Sequence, residues 1–238
     1  MSEQRSNELP VFTDSRLIFT FAHDIRSQLR TILTRIQLTQ AGAGERLSER
    51  ENSFLTDAVS AAGEIESLLT AMVAYCSVGA EGPSIGLQMM MRGLLLETKE
   101  ILQQAGASLE LVAEVDVTVT SSLKTVLKEL ILNSCRFRRQ DIEPRIHLTI
   151  TPTLPSDTAE GSLEIVIWDN GIGVGDPYLE KIFEPFQRLQ PKSQYPGHGL
   201  GLAICRRIVT MQRGRISATA GPLGGLMVRA TVPLPQTA

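Results

Sequence analysis

Leu163-Glu164-Ile165-Val166-Ile167-Trp168-Asp169-Asn170-Gly171-Ile172-Gly173 is the stretch on which the reading of the fold turns. Leu163 to Trp168 is a short apolar run rich in β-branched residues and closed by turn residues, the signature of a buried strand. Asp169 stands at its end. A carboxylate placed there accepts hydrogen bonds from an amino group such as that of adenine. Gly171 and Gly173 let the backbone turn sharply and come close to a ligand. Taken alone, the same residues also suit a plain Asp-Gly turn.

On either side of this strand the periodicity keeps changing. It predicts helices over Met89–Gln104, Ser122–Arg138 and Leu200–Met211. It predicts strands within Leu109–Val119 and over Arg145–Thr151, Arg215–Ala220 and Met227–Val232, the last two split by the turn Gly221 to Gly225. Consecutive strands near the end, joined by short turns, favour a mixed sheet with helices on one face.

Three further patterns carry chemistry. In Glu129-Leu130-Ile131-Leu132-Asn133 the first and last residues are four apart, so on a helix they share a face, where an oxygen from each can hold hydrated Mg2+ beside phosphates. A stray polar pair on a helix surface is the plainer reading. Gly197-His198-Gly199-Leu200-Gly201-Leu202 opens the Leu200–Met211 helix, and a glycine loop feeding a helix N-terminus is a ready anion site. It does not suit a dinucleotide-binding unit, because a polar, Pro-containing loop precedes it rather than a strand. Between them, Ile182-Phe183-Glu184-Pro185-Phe186-Gln187-Arg188 offers two phenylalanines to anchor a loop whose tip stays mobile, the layout of a lid.

The order and spacing of these patterns, from about Leu123 to Met211, resembles the N, G1, F and G2 boxes of the histidine-kinase ATP-binding domain, in the GHKL superfamily shared with gyrase and MutL. The resemblance implies an α/β sandwich that binds ATP and Mg2+. Adenine would sit on Asp169, with Gly171 and Gly173 at the turn, and the phosphates under Gly197, Gly199, Leu200 and Gly201. Glu129 and Asn133 would be the metal-side residues. Arg136 and Arg188 match phosphate-contacting positions, and Phe137 matches an aromatic that lines the nucleotide site.

The first third of the chain differs in kind. Ile18, Ile25 and Ile32 are spaced by seven, as are Ala22, Leu29 and Ile36, and a second stripe runs through Leu55, Ala62 and Leu69 with Ala58, Ile65 and Met72. Asp14 or Ser15 can cap the first helix, Ala41-Gly42-Ala43-Gly44 breaks it, and Ser48 with Glu51 forms a capping box for the second. Two amphipathic helices cannot enclose a core alone. A homodimeric four-helix bundle solves this, and so does a hairpin packed on the rest of the chain. The expected organisation is a helical hairpin over residues 12–78, a Gly-containing linker over 79–86 and an α/β domain over 87–236, an α+β chain overall.

In the first helix, Phe21-Ala22-His23-Asp24-Ile25-Arg26-Ser27-Gln28-Leu29-Arg30 is similar to the H box of histidine kinases, nearest to the phytochrome type. At about 100° per residue, His23 falls far from the centre of the apolar stripe and faces solvent. A neutral imidazole is a nucleophile, and Asp24 can orient it or take its proton. The resemblance implies ATP-dependent autophosphorylation of His23 and transfer to an aspartate of a response-regulator receiver domain. It leaves two other readings open: a non-catalytic phosphotransfer or scaffold protein with a vestigial ATP domain, and a gyrase-like ATPase.

Several residues depart from the family pattern. Glu129 stands where many histidine kinases carry Asn, and gyrase-like relatives use a Glu there as general base. Gln28 replaces the usual Pro. Ser27 holds the place where Thr or Asn commonly aligns water for dephosphorylating the partner, which puts the phosphatase activity in question. About twenty residues precede His23, too few for a sensor domain, so sensing is expected from a separate protein or from the helical bundle itself.

Bulk composition is that of an ordinary globular chain: 238 residues, 42% hydrophobic, 21% charged, formal net charge -3. It provides no basic excess for nucleic acid and no apolar run for membrane insertion. Cys76, Cys135 and Cys205 form no metal or disulfide pattern. Together these point to the cytoplasm.

Overall fold

The computed structural model describes residues 15–43, 46–79, 82–113, 115–153 and 161–234. The chain forms two compact units, Met1–Ser77 and Val78–Ala238.

The first unit is a hairpin of two helices, α1 (Ser15–Ala43) and α2 (Glu49–Ser77). The expected capping box opens α2. Ser48 Oγ accepts the Glu51 N–H at 3.3 Å, while Glu51 Oε2 accepts the Ser48 N–H at 2.8 Å and the Ser48 hydroxyl at 2.7 Å. Helix α1 runs through Gly42 to Ala43, past the start of the stretch read as its break, since one Gly among alanines costs only about 1 kcal/mol. Asp14 and Gly44 lie outside the described residues. Ala22, Leu29, Ala62 and Leu69 make the seam, with Ile25, Leu33, Met72 and Val73 packed at its margin. Ile32 and Ile65, members of the same sequence stripes, are exposed instead, because two helices cover only a narrow strip of each other.

In the second unit, β1 (Ser84–Gly86) leads into α3 (Leu87–Ala105), followed by β2 (Ser108–Val112), β3 (Thr118–Thr120), α4 (Leu123–Arg136), β4 (Arg145–Thr153) and β5 (Ser162–Asp169). After a long segment come α5 (Gly201–Met211), β6 (Arg215–Ala220) and β7 (Leu226–Pro233). The main sheet has the order β2-β4-β5-β7-β6, antiparallel throughout except for the parallel pair β2–β4.

One sheet face carries Ile146, Leu148 and Ile150 of β4, Leu163, Ile165 and Ile167 of β5, and Val228, Ala230 and Val232 of β7, all buried under helices. The opposite face is polar and aromatic. There His147 stacks on Trp168 at 3.7 Å, its Nδ1 lies 2.9 Å from Glu110, and Arg229 pairs with Glu164. The result is the expected mixed-sheet sandwich with helices on one side.

Two expectations change. The strand region Leu109–Val119 is two strands in two sheets: β2 joins the main sheet, whereas β3 pairs with β1. Alternating valines report a half-buried face and do not name the partner strand. The stretch read as linker, 79–86, ends in β1, whose three residues are too few to show a period.

Candidate nucleotide site

Helix α4 sets one wall. Its buried stripe is Leu123, Val126, Leu127, Leu130, Ile131, Ser134 and Cys135, which fixes the rotation of the helix. Asn133, Arg136 and Phe137 then fall beside the stripe, at the edge of a cleft that all three line.

Strand β5 supplies the floor. Asp169 continues the row of Leu163, Ile165 and Ile167, so its side chain points to the helix side and is only 7% exposed. Its Oδ1 accepts the N–H groups of Gly171 (2.9 Å) and Leu226 (3.2 Å), and its Oδ2 accepts the Ser134 hydroxyl (2.8 Å). Burial pushes the carboxyl above the usual aspartate range, and these three donors oppose the shift. Gly171 is needed for approach: a Cβ there would lie 2.5 Å from the Phe137 carbonyl oxygen. Asn170 braces the turn from outside. Its Oδ1 accepts the Arg145 N–H and its Nδ2 donates to the Glu143 carbonyl, both at 2.8 Å.

The glycine loop closes the other end. Gly197 (φ 143°) and Gly199 (φ 71°) take backbone conformations that L side chains rarely adopt. The first α5 ladder bond runs from Ile204 N–H to the Leu200 carbonyl, and no side chain caps the helix start. The N–H groups of Gly201, Leu202 and Ala203 thus precede the ladder, at the positive end of the helix dipole. Arg136 lies beside the glycine loop, 3.1 Å from where a Cβ on Gly197 would be.

Over the cleft, Arg188 donates to the carbonyls of Gly197, Gln190 (3.3 Å) and Tyr195 (2.9 Å), tying the loop into one piece. The Tyr195 ring rests against Phe137 at 5.2 Å. Only one of the two phenylalanines expected to anchor this loop does so. Phe183 is 2% exposed under Arg206, whereas Phe186 is 48% exposed with φ 63°.

One cleft thus joins Asn133, Arg136, Phe137, Asp169, Gly173, Arg188, Gly197, Gly199 and Gly201. Gly171 and Leu200 do not line it. Glu129 also lies outside it: its Oε2 would be 2.7 Å from a Cβ on Gly201, and burial raises its carboxyl, with Arg136 and Lys128 opposing. Ile172, Val174, Ile182, Tyr195 and Leu226 are among the other lining residues and were not among the site residues expected from sequence.

This donor set fits a nucleoside triphosphate. A buried acceptor faces the base end, apolar side chains form the walls, and a cation with uncapped N–H groups stands at the phosphate end. Among the described residues no cluster of three His, Cys, Asp or Glu can hold a metal by itself. Mg2+ would therefore take Asn133 as its ligand from the cleft and need phosphate oxygens to complete its shell.

In the helical unit, His23 is exposed, its side chain 76% accessible, and its Nδ1 lies 3.3 Å from Asp24 Oδ1. Ser27, one turn further on, is also exposed.

Residues 118–236 match the histidine kinase-, DNA gyrase B- and HSP90-like ATPase family. The chain belongs to that ATPase family. Phytochrome-like protein Cph1 of Synechocystis sp. is 26% identical over 223 residues, covering 92% of this chain and 29% of its own length. The signal transduction histidine-protein kinase AtoS of Escherichia coli is 25% identical over 226 residues, covering 93% of this chain and 35% of its own. The chain thus spans about a third of the length of these curated relatives. Full-length ShkA, solved with AMPPNP, shares the fold with a TM-score of 0.63 at 19% identity, over 94% of this chain and 47% of ShkA. A helical hairpin followed in the chain by an ATP-binding domain of this family is a layout it shares with these proteins. No described helix is long and apolar enough to cross a membrane.

Proposed function

We propose that this chain is the catalytic core of a two-component histidine kinase, which transfers the γ-phosphoryl group of ATP to His23 and passes it on to an aspartate of a response-regulator receiver domain. The observation that carries this reading is the convergence of Asn133, Arg136, Asp169 and the Gly197–Gly201 loop on one cleft, in a chain that also presents an exposed His23–Asp24 pair.

With Nδ1–H donated to Asp24, the His23 Nε2 keeps its lone pair for attack. A new N–P bond forms as the bond from the γ-phosphorus to the bridging oxygen breaks, ADP departs with that electron pair, and the Nδ1 proton passes to Asp24, which leaves the phosphorylated ring neutral. Arg136 and the N–H groups at the start of α5 hold phosphate charge, and Arg188 stands at the loop above them. Mg2+ supplies charge neutralisation when bound, with Asn133 as its ligand. Ser27 is exposed on the same helix, one turn after His23. The exposure of Ile32 and Ile65 supports a homodimer in which a second copy of the hairpin covers them. ATP as donor, and three cysteines with no disulfide among them, support a cytoplasmic reaction.

The test is incubation of the full chain with γ-labelled ATP and Mg2+. Acid-labile, base-stable label is expected on the wild type and none on His23→Gln, which still binds ATP. Label that persists in His23→Gln overturns the assignment. Steady ATP turnover that survives this substitution identifies a gyrase-like ATPase instead, and a chain without saturable ATP binding is a scaffold.

A further inference from the structure

Ser134 breaks the pattern of its helix. The other buried positions of α4 are Leu123, Val126, Leu127, Leu130, Ile131 and Cys135. A hydroxyl in such a row is costly unless it is bonded, and its bond crosses to β5, where Ser134 Oγ donates to Asp169 Oδ2 at 2.8 Å. Ser134 does not itself line the cleft; Asp169 does.

The acceptor capacity of Asp169 shows what this bond does. Each carboxylate oxygen has two lone-pair positions. Both on Oδ1 are taken, by the N–H groups of Gly171 and Leu226. On Oδ2 Ser134 takes one, which leaves a single acceptor position. The backbone donors hold the carboxylate by Oδ1, so which of the two Oδ2 lone pairs remains for a ligand depends on the serine.

We propose that Ser134 is a positioning residue that aims the remaining Asp169 Oδ2 lone pair into the cleft, and so makes the cleft select a base with an exocyclic amino group. This deepens the nucleotide-binding reading above and rests on it. An ionised carboxylate only accepts. It pairs with an amino N–H and gains nothing from an analogue that lacks one, and a buried acceptor left unmatched is the stronger source of discrimination.

Calorimetry on the full chain tests this with ATP, with purine riboside triphosphate, which lacks the amino group, and with inorganic tripolyphosphate. The wild type should prefer ATP over the des-amino analogue by about tenfold or more. In Ser134→Ala the preference should fall to about threefold or less with tripolyphosphate affinity unchanged, and Ser134→Thr should restore it. If Ser134→Ala fails to fold, Ser134→Cys, similar in size with a weak donor, should give an intermediate preference. An unchanged preference in these variants overturns the proposal, as does equal weakening of ATP and tripolyphosphate, which marks a purely structural role. Wild-type binding of ATP without preference overturns the role of Ser134 alone. Failure of the wild type to bind ATP overturns the nucleotide site and Ser134 with it.

Discussion

Replacing Gly225 by alanine would put a methyl carbon 2.3 Å from both the backbone oxygen and Oδ1 of Asp169, and 2.7 Å from the Asp169 carbonyl carbon. None of these atoms can yield easily. Asp169 belongs to β5, which is held on both sides by β4 and β7, and its Oδ1 already accepts two N–H groups. The turn between β6 and β7 must lift instead. That breaks the bond from Leu226 N–H to Asp169 Oδ1 (3.2 Å) and strains the one from Gly221 N–H to the Gly225 carbonyl (2.8 Å). Losing a bond to a charged acceptor costs about 1.5–3 kcal/mol, and overpacking about 1–3 kcal/mol. With partial relaxation the net loss should be about 2–4 kcal/mol. Urea unfolding followed by the emission of Trp168, the chain's one tryptophan, reports the α/β unit directly. The midpoint should fall with little change in slope, and ATP affinity should fall with it. A Gly225→Ala protein with the wild-type midpoint and affinity would refute the claim that this turn braces Asp169.

Four other outcomes follow from the structure. Gly199→Ala needs φ 71° and a Cβ 2.5 Å from the Gln187 carbonyl oxygen, so ATP affinity should drop by more than about tenfold. Gly201→Ala meets only the movable Glu129 carboxylate and should bind far better than Gly199→Ala; equal losses in titrations of the two variants would contradict this. Because burial raises the Asp169 carboxyl, protonation sets in earlier on acidification, so ATP affinity should weaken above the pH at which an ordinary aspartate titrates; a profile flat down to that range would overturn it. Cys135 and Cys205 are buried and burial pushes both thiols up, so iodoacetamide should modify Cys76 first in the native protein and all three cysteines in urea, as mass spectrometry would show.

Much of the fold was legible in the residue pattern. The α4 helix was expected over Ser122–Arg138 and runs Leu123–Arg136, and β5 was expected over Leu163–Trp168 and runs Ser162–Asp169. Such elements are long enough for their periods to show. β1, with three residues, is not, and Phe186 looked like a core anchor because its type is apolar, although its left-handed backbone turns it outward. Site residues were found where chemistry and spacing coincide within one element, as with Asn133 on α4 or Gly197 and Gly199 before α5. Tyr195 and Leu226 gave no such signal, since each reaches the cleft from its own distant segment.

The sequence by itself determined which side chains share a face, because helix and strand periods assign faces locally: His23 away from its apolar stripe, Asn133 beside another, Asp169 at the end of a buried row. Tertiary structure alone decided what each face meets. The register of β5 against β7 and the packing of α4 bring Leu226 and Ser134, from distant parts of the chain, onto a carboxylate that its near neighbour Gly171 already bonds within the turn. Hydrogen-bond partners at that range follow from packing between elements, and no local period encodes them.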